Sequence, residues 1–210
     1  GGKMKLVLCA IIAYLLGSVC ASIPLSKRCM GEDIRKKGSG NAGATNAARV
    51  FGLKAGLVTL ALDMAKTVAA MLIGKVLAGV TGEALSGAMC IIGHCFPLYF
   101  GFRGGKGVSV GAGLGLMTGL PVFGVIIAVF ALTAGLSRKV SLGSILAAAS
   151  LPIASVVFGA EPAFVAMNVF SAVLVIVMHR ENIKRLINGT EADFKPTNRS
   201  EKFFHIFCTK

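Results

Sequence analysis

Apolar residues fall in near-continuous runs close to 6–25, 53–73, 76–100, 108–118, 121–136, 142–158 and 163–179. A helix on the surface of a soluble core would show a stripe of period 3.6. Unbroken apolar runs predict membrane spans instead. The stretch 107–136 needs a division. As one helix its 30 residues would rise about 45 Å, against a hydrocarbon core of about 30 Å. Gly119-Leu120-Pro121 in its middle is a break signal, so two shorter helices with a tight turn are expected. The 108–118 run is too short to cross alone and is expected to tilt or to start within a re-entrant loop.

Composition agrees with a membrane protein. Charged residues make up 15% of the chain, 55% is hydrophobic, and mean hydropathy is +0.78. Soluble domains carry about 25% charged residues. No internal repeat is visible. One integral membrane domain over residues 4–190 is expected, followed by a basic tail over 191–210. The tail ends in Phe203-Phe204-His205-Ile206-Phe207, which would either lie in the lipid interface or be disordered. Gly1 to Lys3 precede Met4 and read as an extension ahead of the start. Residues 4–22 could pass for a signal peptide, but the many runs that follow favour a first span.

The net charge of +13 is arranged in loops. Seven Lys/Arg lie between 27 and 54, followed by Arg103 and Lys106, then Arg138 and Lys139. Seven more lie from Arg180 to Lys210, while the connections around 74–84, 118–121 and 158–162 hold only Lys75. Seven crossings put every basic cluster on the cytoplasmic side, as the positive-inside tendency asks; six would put Arg138-Lys139 opposite Arg103-Lys106. The expected architecture is an all-α polytopic membrane protein. It has seven transmembrane helices, an outside N-terminus, a cytoplasmic C-terminus and Gly-rich cytoplasmic loops. Lys3 and Lys5 run against this orientation. The basic residues form no aromatic-interleaved patch, so nucleic acid is not an expected partner. The six cysteines form no C-x-x-C pair and read as buried reduced thiols, so neither a metal nor a cofactor is expected.

Two loops carry candidate chemistry. The first is Gly38-Ser39-Gly40-Asn41-Ala42-Gly43-Ala44-Thr45-Asn46, with Arg49 a turn further on. Its G-x-G-x-x-G spacing matches a dinucleotide fingerprint, but Glu32 to Lys37 is a charged loop and not a buried strand. What remains is a helix start near Ala44 whose free N–H groups favour an anion. Ser39, Asn41, Thr45 and Asn46 add donors, and Arg49 lies on the face of Thr45. The second loop is Arg103-Gly104-Gly105-Lys106-Gly107. It is not a Walker motif, because Phe100 holds the first glycine position. Adjacent glycines and a Lys predict a backbone nest for phosphate. An ordinary turn is the plainer alternative in both places. His179-Arg180-Glu181-Asn182 ends the last span, where His179 is a base, a phosphate donor or simply a helix end. Asp63 and Lys66, three apart inside a span, read as a mutual structural pair. Ser141 and Ser144 begin a span and either cap it or reach substrate.

Taken with Gly17-Ser18 and Gly93-His94-x-Phe96-Pro97, these motifs resemble the bacterial acyl-phosphate:glycerol-3-phosphate acyltransferase family, PlsY, to about residue 190. One departure is Arg103, where Lys is expected. The resemblance implies acyl transfer from acyl phosphate to the 1-hydroxyl of sn-glycerol 3-phosphate, giving lysophosphatidate and phosphate, the first acylation of phospholipid synthesis. It implies a multi-pass protein of the bacterial cell membrane, with membrane lipid around it and its site facing the cytoplasm. Ser39, Arg49, His179 and Asn182 would be catalytic, with Glu181 holding structure. Substrate would meet Gly38, Gly40, Asn41, Gly43, Thr45, Asn46, Arg103, Gly104, Gly105, Lys106, Gly107 and Ser144. No His-x-x-x-x-Asp occurs after His94, His179 or His205, so the dyad of acyl-CoA and acyl-ACP acyltransferases is absent. An activated acyl phosphate needs mainly positioning and charge stabilisation. The competing class is a small transporter for an anionic metabolite, with short broken helices and cationic loops. A structural subunit would leave both loops unexplained.

Overall fold

The computed structural model describes residues 1–197, and these are helical with no strand among them. The helices are α1 (Gly2–Gly17), α2 (Ser22–Met30), α3 (Ala44–Phe51), α4 (Leu53–Cys95), α5 (Val108–Thr118), α6 (Leu120–Ser137), α7 (Val140–Val157), α8 (Pro162–Met178) and α9 (Arg180–Ile187). Among the described residues four helical segments are long and apolar enough to cross a membrane, or five if the 59° bent pair α8–α9 counts as one span. Large apolar side chains face outward: Val76 and Leu136 are each 87% exposed. Such an outer surface suits lipid and not water. The expected features beyond residue 197, Cys208 and the Phe203–Phe207 cluster among them, lie outside the described residues.

Helix α4 is two antiparallel arms. Its 43 residues would measure about 65 Å if straight. Ala78 and Gly79 break it, Gly79 at φ 62°, which an L side chain rarely adopts. The arms then fold on each other. A β-carbon on Gly74 would lie 2.3 Å from Gly82 O, a contact impossible for residues eight apart in one straight helix. Lower in the hairpin Cys90 Sγ–H donates to Thr67 Oγ1 at 3.8 Å.

Small residues set the packing of α1 against the second arm. A β-carbon on Gly17 would meet Cys90 O at 2.2 Å, and one on Gly93 would meet Tyr14 O at 2.3 Å. Close backbone approach is how apolar helices gain contact when lipid removes the hydrophobic drive between them. Around this pair Ala13, Met71, Ile91, Val110, Leu114 and Val175 form the main core. The break between α5 and α6 falls at Gly119, with Pro121 in the first turn of α6. α7 continues through Pro152.

Candidate active site

All the basic segments that carry motifs meet at one end of the bundle. The first loop, the second loop, the start of α7 and the α8–α9 bend surround a cavity of about 590 Å³. Arg49, Lys106 and Arg185 line its mouth, and Ile126, Phe130, Leu151 and Val175 line its depth. Cations at a mouth over an apolar slot suit a phosphate-bearing amphiphile.

The first loop is built around Asn46. This side chain is 1% exposed. Its Oδ1 accepts from Ser39 N at 2.8 Å, and its Nδ2 donates to Asn41 O at 2.8 Å and Lys37 O at 3.1 Å. Asn46 therefore shapes the loop, and its amide is engaged by the chain and not held out as a donor to substrate. Gly38 is confined by it: φ is 58°, and a β-carbon would stand 2.3 Å from Asn46 Oδ1. Asn41 accepts from Gly43 N at 2.9 Å and donates to Gly104 O at 3.4 Å, joining the two loops. Helix α3 starts at Ala44 after Gly43. Gly38, Ser39, Gly43 and Thr45 reach the cavity wall with Arg49, while Gly40, at φ 72°, does not line it. The Arg49 side chain makes no hydrogen bond or ion pair among the described residues.

The second loop corrects the expected nest. Gly104 N–H donates to Cys95 O at 3.2 Å and Gly105 N–H to His94 O at 3.0 Å. Both amides point into the protein, and neither glycine lines the cavity. They are small for a different reason. A β-carbon on Gly104 would fall 2.0 Å from His94 O, and one on Gly105 would fall 2.0 Å from His94 Nε2. Arg103, also expected at substrate, is exposed and outside the cavity wall. Only its carbonyl is used: Arg35 Nη1 donates to Arg103 O at 3.0 Å and to Phe100 O at 2.6 Å. Asp33 aims that guanidinium, Nη2 lying 2.7 Å from Oδ2. The hydrogen bonds from Arg35 hold the Asp33 carboxyl down at about 2. Arg35 was one cation among seven in the sequence; the i, i+2 Asp33 was the available signal that it is a clamp. Gly107, at φ 84°, starts α5 and packs on Ile91 and Val175, so Lys106 alone carries this loop into the cavity. Burial pushes its ammonium below the usual lysine range, and the Arg185 charge adds to this.

Under the second loop lies a buried trio. Lys66 Nζ is 2.8 Å from Asp63 Oδ1 and 3.0 Å from His94 Nδ1, and it donates to Val19 O at 2.8 Å. His94 Nδ1 is 3.5 Å from Asp63 Oδ1. The expected Asp63–Lys66 pair thus has a third member, whose ring is the surface on which Gly105 rests.

The third motif closes the site. His179 is buried, and its Nδ1 lies 2.7 Å from Val175 O. A carbonyl only accepts, so Nδ1 carries the hydrogen and the neutral ring keeps a lone pair on Nε2. Lys106 donates to Asn182 Oδ1, and Asn182 Nδ2 donates to Glu191 Oε1 at 2.7 Å. Ser141 Oγ is buried and faces the Glu191 carboxylate as a hydrogen-bond donor, whereas Ser144 donates to Val140 O at 2.9 Å; both line the cavity. Glu181, expected to hold structure, stands on the surface. Among the described residues it pairs only with Lys184 at 3.4 Å and Arg180 at 3.8 Å, contacts worth little in water. Glu191, Arg185 and His94 were not predicted at the site. Glu191 falls in the stretch expected as tail, yet the chain stays on the site past residue 190. Among the described residues no cluster of His, Cys, Asp and Glu could hold a metal.

A helical membrane bundle with cations around an apolar-lined cavity suits a protein that handles phosphate-bearing amphiphiles at a membrane. Comparison with known proteins gives the family. Residues 7–189 match the family model described as glycerol-3-phosphate acyltransferase, and the chain belongs to that family. The glycerol-3-phosphate acyltransferase of Carboxydothermus hydrogenoformans is 40% identical over 186 residues, which cover 89% of this chain and 95% of that protein. That of Thermoanaerobacter pseudethanolicus is 43% identical over 190 residues, covering 90% and 96%. The crystal structure of PlsY, an integral membrane glycerol 3-phosphate acyltransferase, in its glycerol 3-phosphate form is similar at TM-score 0.85 and 35% identity, over 90% of this chain and 96% of that one. Its lysophosphatidic acid form is similar at TM-score 0.83 and 32% identity, over 95% and 98%. This multi-pass membrane protein is accordingly an acyltransferase, and the transporter alternative is set aside.

Proposed function

We propose that the chain transfers a fatty acyl group from acyl phosphate to the 1-hydroxyl of sn-glycerol 3-phosphate, releasing lysophosphatidate and phosphate at the cytoplasmic face of the bacterial cell membrane. The observation that carries this reading is the cavity itself. Three cations gather at one end of an apolar slot, a shape suited to two anionic substrates of which one carries a fatty chain. The solved relatives' forms with glycerol 3-phosphate and lysophosphatidic acid support the acceptor and the product.

The acyl phosphate is a mixed anhydride with phosphate as a good leaving group. The chain then has to align two anions and stabilise developing charge. Arg49, with Ser39 and Thr45 beside it, takes the acyl-phosphate side. Lys106 and Asn182 take glycerol 3-phosphate, with Ser141 and Ser144 near its hydroxyls. The acceptor hydroxyl attacks the acyl carbon, the C–O bond to phosphate breaks, and the hydroxyl proton passes to His179 Nε2 or to the departing phosphate. The proposed topology has seven crossings: α1, the two arms of α4, α5, α6, α7 and α8. It is supported by the α4 hairpin and by the gathering of the basic segments at one end.

Lysophosphatidate formation by purified protein tests the donor, because it is the product whichever donor is used. With glycerol 3-phosphate as acceptor, synthetic acyl phosphate should be turned over. Acyl-CoA and acyl-ACP should give no comparable rate. Equal turnover with acyl-CoA would show the donor assignment to be wrong.

A further inference from the structure

The chain does not leave the site after α9. Gly189 turns at φ 66°, and the Thr190 and Glu191 amides donate to Arg185 O at 2.8 and 3.1 Å. This reverses the backbone over the cavity mouth. There Lys139 Nζ donates to Glu191 O and to Asp193 Oδ1, the latter at 2.9 Å. Phe194 N–H donates to Arg138 O at 3.0 Å, so the segment is tied to the α6–α7 corner. Glu191 is the one carboxylate among the described residues that line the cavity. Its side chain is 9% exposed. Oε1 accepts from Asn182 Nδ2 at 2.7 Å and Oε2 from Arg185 Nε at 2.6 Å.

A primary amide has one accepting end and one donating end, whereas a carboxylate only accepts and an ammonium only donates. Between Glu191 and Lys106, Asn182 has one satisfactory orientation: Nδ2 toward the carboxylate, Oδ1 toward the ammonium. Turned over, it would set donor against ammonium and acceptor against carboxylate. We infer that Glu191 is a positioning residue, which fixes the Asn182 amide and through it the Lys106 ammonium for glycerol 3-phosphate. This rests on the reading of Lys106 and Asn182 as substrate contacts. Glu191 lies two residues beyond the family-model match, which ends at 189.

The test is steady-state kinetics of the full-length protein in nanodiscs, with synthetic acyl phosphate, for Glu191→Gln, Glu191→Asp and Glu191→Ala. Thermal unfolding of each variant is followed alongside. Misplacing a contact by about 1 Å can cost about 10²-fold. The KM for glycerol 3-phosphate should therefore rise about tenfold or more in the Gln and Ala variants. The KM for acyl phosphate should stay within about twofold, and Asp should restore part of the loss. In a Lys106→Ala background, Glu191→Ala should add less than about twofold, because its route to substrate is gone. Should Glu191→Ala fail to fold, the isosteric Gln variant decides by itself. A wild-type KM for glycerol 3-phosphate in the Gln variant would overturn the inference, as would an undiminished effect in the Lys106→Ala background. Wild-type protein inactive toward glycerol 3-phosphate would instead sink the underlying reading, and this inference with it.

Discussion

Gly105 rests on the imidazole of His94 so closely that a β-carbon there would stand 2.0 Å from Nε2. The ring cannot retreat, because Lys66 holds its Nδ1 at 3.0 Å and Asp63 lies 3.5 Å from the same atom. The glycine pair is thus a bearing surface for the second loop, and the loop's one cavity residue, Lys106, depends on it.

Gly105→Ala should therefore displace the loop as a body. Overpacking a tight contact costs about 1–3 kcal/mol, and Lys106 moves with the backbone. Both kcat and the KM for glycerol 3-phosphate should worsen, with kcat/KM falling about 10²-fold, and the unfolding temperature should drop. Steady-state kinetics with a thermal melt checks this. A rise in KM alone at unchanged kcat and stability would favour direct phosphate contact at Gly105 after all.

The Arg49 side chain has no protein partner among the described residues, and it lines the cavity beside Thr45. A cation left for a ligand should act where charge develops. Arg49→Ala should lower kcat by about 10²-fold or more, as loss of an oxyanion-type donor does. Arg49→Lys should recover only part, since a point charge cannot replace a fork of donors. Kinetics against each substrate in turn decides. If Arg49→Ala kept wild-type kcat and raised only the KM for glycerol 3-phosphate, Arg49 would belong to the acceptor.

Lys66→Ala should be among the most damaging substitutions outside the cavity mouth. It leaves the Asp63 carboxylate buried with His94 as its remaining partner. Breaking a buried pair from one side costs about 3–5 kcal/mol. Replacing both members, Asp63→Asn with Lys66→Met, should cost less than the two single changes summed, because no lone charge remains. Unfolding in detergent across this cycle measures it, and strict additivity would show that the trio is not coupled.

The seven-crossing topology makes a labelling prediction. In a cysteine-free background, cysteines placed at Val80, Gly119 and Ala160 should react with an impermeant reagent added outside. Cysteines at Arg35, Lys139 and Lys195 should not. Strong external labelling at Lys139 would remove the arrangement.

The sequence by itself determined the membrane character and the helix breaks. Unbroken apolar runs have no other stable setting, and Gly119-Leu120-Pro121 ends a helix by local geometry alone. The helix start at Ala44 was equally local, because Gly43 and Asn41 shape it within a few residues. What the sequence could not distinguish was which way each polar group turns. Gly104 and Gly105 carry the composition of a phosphate nest, but their N–H groups are claimed by Cys95 O and His94 O at the end of α4, as the loop folds back on that helix end. Asn46 and Arg35 bear the donors of ligand-binding residues, yet each finds backbone carbonyls of its own chain first. Arg103 and Lys106 are three apart in one loop, and only Lys106 meets Asn182, 76 residues away. Glu191 read as the start of a tail until the turn at Gly189 laid it against Asn182. Arg35 and Lys106 find partners 65 and 76 residues away, and the Asn46 and Glu191 contacts close loops over nine residues at no helix or strand spacing, so no local pattern carries them; loop closure and the packing of the bundle decide.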